Sequence, residues 1–178
     1  MIMKKLFLVG LMLINVAVFA QTQGQPQVPA FKRNPTLPQL HLLKIDSSYI
    51  TKESLNKGQD VMIMYFSPKC DHCIQQWKEM TARMDELKEF QIVMATYQPF
   101  EEMVEFYKGY KLNNYKNILI GRDVKFALPP FYVMNNLPYF ALYDKQGNLI
   151  TTFEGNVKVD TLIKSFKQQP PTPERGKQ

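Results

Sequence analysis

The chain has 178 residues, 45% of them hydrophobic, and a formal charge of +6. Such a chain supports one domain with a sizeable core and excludes a charge-rich disordered polymer. Its basic residues alternate with acidic ones, as in Asp85-Glu86-Leu87-Lys88-Glu89, so the surplus reads as a mixed solvated surface and argues against a nucleic-acid or lipid patch.

Lys4 and Lys5 precede an apolar run from Leu6 to Ala20 that only Asn15 interrupts, and Val18-Phe19-Ala20 sets small residues at the minus-three and minus-one positions of a cleavage site. This is the outline of a secretory signal peptide over residues 1–20. The run is about fifteen residues, against the roughly twenty of a membrane span, so an uncleaved anchor is the second reading. A periplasmic or secreted location is the expectation, with membrane attachment only if residues 1–20 are retained. Losing Lys4 and Lys5 lowers the formal charge from +6 to +4. Residues 21–35, rich in Gln, Pro and Thr, read as a flexible spacer; 36–167 as the domain; and 168–178, with Pro170, Pro171 and Pro173, as a disordered tail.

Within the domain, Leu40 to Ile45 alternates weakly and predicts a short strand, followed by a turn and a second extended piece over Asp46 to Thr51. Thr51 caps a helical turn through Leu55, with Gly58 as its stop. Val61 to Phe66 is a continuous apolar run, the mark of a central strand buried on both faces. Ile74, Trp77, Met80, Met84, Leu87 and Phe90 recur at three- and four-residue steps and predict one helix. Gln91 to Tyr97 reads as a strand, Glu101 to Tyr110 as a helix, and Asn117 to Ile120 as a short strand. Gly121 to Pro130 carries no clear period, and Leu128-Pro129-Pro130-Phe131 reads as a rigid lead-in. Tyr139 to Tyr143 and Leu149 to Phe153 form a hairpin about the turn at Asp144 to Asn148. Val159, Leu162, Ile163 and Phe166 make a closing amphipathic helix. The order is βαβ followed by ββα, around one sheet.

The only two cysteines stand in Cys70-Asp71-His72-Cys73, between the central strand and the helix after it. A strand that delivers a CxxC to a helix start is the geometry of dithiol–disulfide chemistry. There the unpaired backbone N–H groups and the helix dipole favour a thiolate, the reactive nucleophile. A purely structural disulfide is the weaker reading, because so small a loop removes little unfolded-state entropy.

With these residues the chain resembles the thioredoxin superfamily, in particular the secreted TlpA/ResA-like thiol–disulfide proteins. The resemblance rests on the lead-in VMIMYFSPKC, the helix after Cys73, Asn136-Leu137-Pro138-Tyr139-Phe140 and the hairpin ALYDKQGNLI. Leu37-Pro38 with Asp46 to Thr51 resembles the N-terminal extension of that branch. The implied fold is α/β and thioredoxin-like: a central mixed β-sheet flanked by helices, with an N-terminal β extension. The implied activity is thiol–disulfide oxidoreduction without a cofactor, on protein disulfides or thiols, with a membrane redox donor or acceptor as partner. In that family the proline matching Pro138 is cis and faces the CxxC, where the backbone of Leu137 pairs with substrate. Read from the residues alone, Pro138 also fits an ordinary trans proline opening a strand.

Cys70, nearer the exposed loop, is expected to attack, and Cys73, one helical turn on, to resolve. Lys69 and His72 would favour the Cys70 thiolate and Asp71 would oppose it. Two readings of His72 stand: the tuning position between the cysteines, or a solvated side chain of small effect. Lys69 likewise reads as a tuning cation or a plain surface charge. Many thioredoxins carry an acid six positions before the first cysteine, and TlpA/ResA-like proteins often carry one six positions after it. Here Met64 and Gln76 occupy those places, and Glu79 reads as a solvated carboxylate, so handling of the Cys73 proton is the open step.

A metal centre is not expected, since His41 and His72 are the only histidines. The aromatics near Pro138 (Phe126, Phe131, Tyr132, Tyr139 and Phe140) mostly fill the core, leaving one or two for an apolar rim against a substrate peptide. Two rival functions are a peroxiredoxin-like peroxidase, for which Ser67 fits one expected position but Ile63 does not fit the other, and a binding protein whose CxxC is structural.

Overall fold

The computed structural model describes residues 28–168; the export-type segment, the spacer before Val28 and the tail from residue 169 lie outside the described residues. In chain order the elements are α1 (Ala30–Arg33), β1 (Leu42–Leu43), β2 (Tyr49–Ile50), β3 (Val61–Tyr65), α2 (Asp71–Thr81), α3 (Met84–Leu87), β4 (Gln91–Thr96), α4 (Phe100–Gly109), β5 (Ile118–Asp123), α5 (Leu128–Tyr132), β6 (Tyr139–Tyr143), β7 (Leu149–Glu154) and α6 (Val159–Lys167). The seven strands form one sheet in the order β2-β1-β5-β4-β3-β6-β7. β3, β4 and β5 run parallel; β6 pairs antiparallel with β3, β7 with β6, and β1 with both β5 and β2. This is the mixed sheet expected from the sequence, with β1 and β2 as the N-terminal extension.

Side-chain alternation sorts the core into two layers. Met62 and Met64 of β3, Ile92 and Met94 of β4, and Phe140 and Leu142 of β6 face α2, α4 and α6. Val61, Ile63, Tyr65, Val93, Ala95 and Tyr139 face the opposite layer, closed by Phe31, Leu128 and Tyr132. Every residue of β3 is buried, because a neighbouring strand covers each edge and a layer covers each face. In the second layer the buried Tyr132 and Tyr143 hydroxyls satisfy each other at 2.5 Å, so the aromatic bulk is buried without stranding a polar atom.

Five local readings are corrected. The helix predicted from Ile74 to Phe90 is two helices: Thr81 Oγ1 donates back to the Trp77 and Lys78 carbonyls, and Arg83 leaves the helical region at φ −127°. Its guanidinium then holds Glu86 at 2.6 Å and Asp160 at 2.7 Å, so the corner is tied to α6 while Met84 and Leu87 stay on the core. The tract beginning at Leu128 is a helix, since prolines in its first turn forgo no intrahelical bond and the Asp123 carboxylate accepts the Ala127 and Leu128 N–H groups at 3.0 Å. β5 extends to Asp123, beyond the expected end at Ile120. Finally, the residues assigned to the spacer are folded from Ala30: Phe31 is buried against Tyr132, ring centroids 5.9 Å apart, and Leu149 N–H donates to Pro35 C=O at 2.7 Å. A composition of Gln and Pro hides one aromatic anchor. The predicted turn after Thr51 is a single 3-10 turn, Lys52–Ser54, in which the Ser54 hydroxyl accepts the Thr51 N–H at 2.8 Å.

The N-terminal extension packs closest at Gly121, where an added Cβ would stand 2.7 Å from Leu42 Cβ and 3.1 Å from its carbonyl carbon. Gly121→Ala is therefore expected to destabilise the protein by about 1–3 kcal/mol through overpacking of β5 against β1. Urea denaturation measures this; an unchanged midpoint would mean that β1 yields freely.

Candidate active site

β3 ends at Tyr65, and the chain turns through Ser67, Pro68 and Lys69 into α2. Cys70 N–H donates to Ser67 C=O at 3.1 Å, closing that turn, and Cys70 is the N-cap of α2, its carbonyl receiving Ile74 N–H at 2.9 Å. The Cys70 thiol thus stands over the first turn of an eleven-residue helix, among N–H groups that have no intrahelical acceptor. Cys70 is half-buried and Cys73 wholly buried, and both are free thiols. Burial pushes the Cys73 thiol up to about 12; the Cys70 side chain adds to the rise, and a hydrogen bond from the Ser67 backbone opposes it. Cys73 is therefore a protonated thiol at neutral pH, buried one turn below its partner.

The registers of β3 bring the other residues to this edge. Tyr65 pairs with Tyr139, and the antiparallel register continued by one residue sets Pro138 opposite Phe66. The Leu137-Pro138 bond is cis. Pro138 is buried and its C=O receives Gly155 N–H at 2.8 Å, whereas Leu137 is half-buried against both core layers. Among the described residues the Leu137 N–H and C=O have no hydrogen-bond partner.

Asp71 and His72 are exposed in the first turn of α2. The Lys69 ammonium is engaged elsewhere: it stands 2.9 Å from Glu102 Oε1 of α4, and this carboxylate raises it above the usual lysine range. His41 lies in a stacked pair with Tyr49, ring centroids 4.1 Å apart, at the β1–β2 end of the sheet.

Met64 and Gln76, the two positions where the resemblance leads one to expect an acid, are both sealed into the core. Met64 is fully buried in the helix-facing layer. Gln76, also fully buried, engages both ends of its amide with one residue's backbone: Nε2 donates to Val157 C=O at 3.0 Å and Oε1 accepts Val157 N–H at 2.7 Å. This clamp ties the cysteine-bearing helix to the segment before α6. Its signal in the sequence is a polar residue on the buried stripe of Cys73, Trp77 and Met80. Glu79 is exposed and accepts from Gln75 Nε2 at 3.1 Å. Among the described residues the one buried carboxylate is Asp123, which belongs to the turn after β5.

The strand order, with the thiol pair at a helix start beyond the central strand, decides the architecture. The fold is thioredoxin-like. StoA from Bacillus subtilis is 20% identical, with a TM-score of 0.57, over 74% of this chain and 98% of its own. The pneumococcal exposed lipoprotein thioredoxin of Streptococcus pneumoniae gives 20% identity and a TM-score of 0.59 over 74% of this chain and 100% of its own. A secreted Mycobacterium tuberculosis disulfide oxidoreductase gives 17% and 0.59 over 71% and 93%. No protein-family model and no curated protein matches the chain by sequence.

Within this thioredoxin-like site the two thiols differ in access. Iodoacetamide at neutral pH is expected to alkylate Cys70 in the reduced protein and to spare Cys73 until the protein is unfolded. Peptide mass spectrometry reads the result; equal labelling of both cysteines in the folded state would contradict the burial of Cys73.

Proposed function

We propose that the chain is an exported thiol–disulfide oxidoreductase in which Cys70 attacks and Cys73 resolves disulfides of protein substrates. The observation that carries this reading is the pair of free thiols one helical turn apart, the first capping α2 and the second buried beneath it. Three solved proteins of the same fold are described as a thioredoxin, a thiol:disulfide interchange protein and a disulfide oxidoreductase, which supports the class of chemistry.

In the reducing direction, the Cys70 thiolate attacks one sulfur of a substrate disulfide. A mixed disulfide forms and the other substrate sulfur leaves as a thiolate, to be protonated by solvent. Cys73 then loses its proton and attacks Cys70 Sγ. The mixed disulfide breaks, a Cys70–Cys73 disulfide forms, and the substrate leaves as a dithiol. Two electrons have passed to the substrate, and an external dithiol must return them; oxidation of a substrate dithiol is the same sequence reversed. The open backbone of Leu137 offers an extended substrate segment one N–H and one C=O beside the reacting sulfurs. Asp71, next to Cys70, and His72 are exposed in the first turn and border the attacking thiol in this reading, while Lys69, on its other side, acts only through its pair with Glu102. The apolar segment at residues 6–20 supports export, as do the exposed and secreted proteins that share the fold. A membrane redox partner would complete the cycle.

Two outcomes are expected. Insulin reduction driven by dithiothreitol is accelerated by the protein and loses that acceleration in Cys70→Ala, while Cys73→Ala accumulates a mixed disulfide visible on a non-reducing gel. Survival of the activity in Cys70→Ala, or consumption of peroxide alone, would sink the proposal. The resolving step also depends on pH. Cys73 is protonated below its raised value, and burial, the largest cause, persists in the mixed disulfide. Single-turnover release of substrate is therefore expected to rise about tenfold per unit between about pH 7 and 9, with the thiolate fraction; a flat profile would mean that another group takes the Cys73 proton.

A further inference from the structure

β4 flanks β3 on the side away from β6. Tyr65 pairs with Ala95, and the parallel register continued two residues sets Tyr97 beside Ser67, whose carbonyl receives the Cys70 N–H. Tyr97 thus stands on one flank of the Cys70 turn and Leu137 on the other. Its ring stacks on Tyr65 with centroids 6.5 Å apart, and Phe126 meets it edge-on at 5.1 Å and 84°. Tyr97 is 42% exposed, Phe126 50%, and Val124, in the same loop as Phe126, 38%. Of the six large apolar side chains exposed among the described residues, three therefore gather at this end of the sheet. Scattered exposed apolar residues are ordinary, but a cluster of them marks a surface that meets something.

Phe126 is also held in a backbone conformation that a bulky side chain disfavours, φ +49°. The loop is pinned from several directions: Phe126 N–H donates to Asp123 C=O at 3.1 Å, and the buried Asp123 carboxylate accepts the Ala127 and Leu128 N–H groups at 3.0 Å and the Tyr65 hydroxyl at 3.3 Å. Glycine or asparagine would suit that backbone better. The chain instead places a ring there, packs its covered half edge-on against Tyr97 and leaves the other half in water.

We propose that Tyr97 and Phe126 form an aromatic ledge that takes a large apolar side chain of an extended protein substrate. The inference rests on the thiol–disulfide reading and names the substrate class it favours. Strands lie about 4.8 Å apart, so Leu137 and Tyr97, on the two neighbours of β3, flank the turn at about 10 Å. Three extended residues span that distance at about 3.3 Å each. A chain paired with Leu137 thus reaches the ledge with a side chain about three residues away, after crossing the Cys70 turn. Folded proteins seldom present such a segment; unfolded or partly folded ones do. A small disulfide such as glutathione disulfide is too short to reach and carries no apolar side chain.

The test compares catalysed reduction, by dithiothreitol, of insulin and of glutathione disulfide. In Phe126→Gly the ratio of kcat/KM for insulin to that for glutathione disulfide is expected to fall about tenfold, with a thermal midpoint no lower than the parent's, because glycine relaxes the backbone. Phe126→Asn, which also tolerates that backbone, serves if the glycine variant does not fold. An unchanged ratio in a folded variant overturns the ledge. If the parent exchanges with neither disulfide, the thiol–disulfide reading falls by itself, and anisotropy titration of a fluorescein-labelled peptide of alternating phenylalanine and serine decides the ledge. Binding weakened about tenfold by Phe126→Gly upholds it; equal binding, or none, overturns it.

Discussion

Burial of β3 on both faces and pairing on both edges is the constraint on which the rest of the molecule depends. Five consecutive apolar residues leave this strand no solvent-facing side, so it must lie at the centre of a sheet with a layer above and below. A slip of one residue against β4 or β6 would exchange every side chain between the layers. Met62 and Met64 would then meet Tyr132 and Leu128, and the Tyr65 hydroxyl would lose Asp123. The register is therefore fixed by the core. Because the chain leaves β3 directly into the Cys70 turn, the same register determines which residues of β4 and β6 flank that turn.

The candidate site is a product of unequal solvation imposed on two identical groups. Cys70 caps α2 just beyond the C-terminal end of β3, and Cys73 points from the next turn into the layer of Met64 and Trp77. Helix geometry alone separates them: one residue lies outside the first hydrogen-bonded turn and the other on its buried face. The charged residue before Cys70 adds less than its sequence position suggests, since the Lys69–Glu102 pair is solvent-exposed and is directed toward α4.

Features governed by periodicity were legible in the sequence: the doubly buried β3, the helix carrying Trp77 and Met80, the β6–β7 hairpin and the apolar stripe of α6. The cysteine pair was legible because a CxxC between a strand and a helix has few other uses. What escaped depends on contacts between residues distant in the chain. The break at Arg83 is completed by Asp160, and the helix at Leu128 needs Asp123 as its cap. The fold of residues 30–35 needs Tyr132 as a surface for Phe31. Gln76 was noticed only as a missing acid, because its partner is backbone 81 residues away and leaves no side-chain signature.

That same amide has a consequence for the docking of α2. It keeps its N–H donors and its carbonyl acceptor at any pH, so its two bonds to Val157 are made alike in acid and in alkali. A carboxyl group of the same shape would complete both bonds only while it kept its proton, and ionisation would set a negative oxygen against the Val157 carbonyl. This pair of bonds between the cysteine-bearing helix and the C-terminal segment is thus indifferent to acidity, unlike the Arg83–Asp160 ion pair at the corner after that helix. Those two bonds hold α2 against the segment before α6 over the whole range of pH in which Cys73 passes from thiol to thiolate.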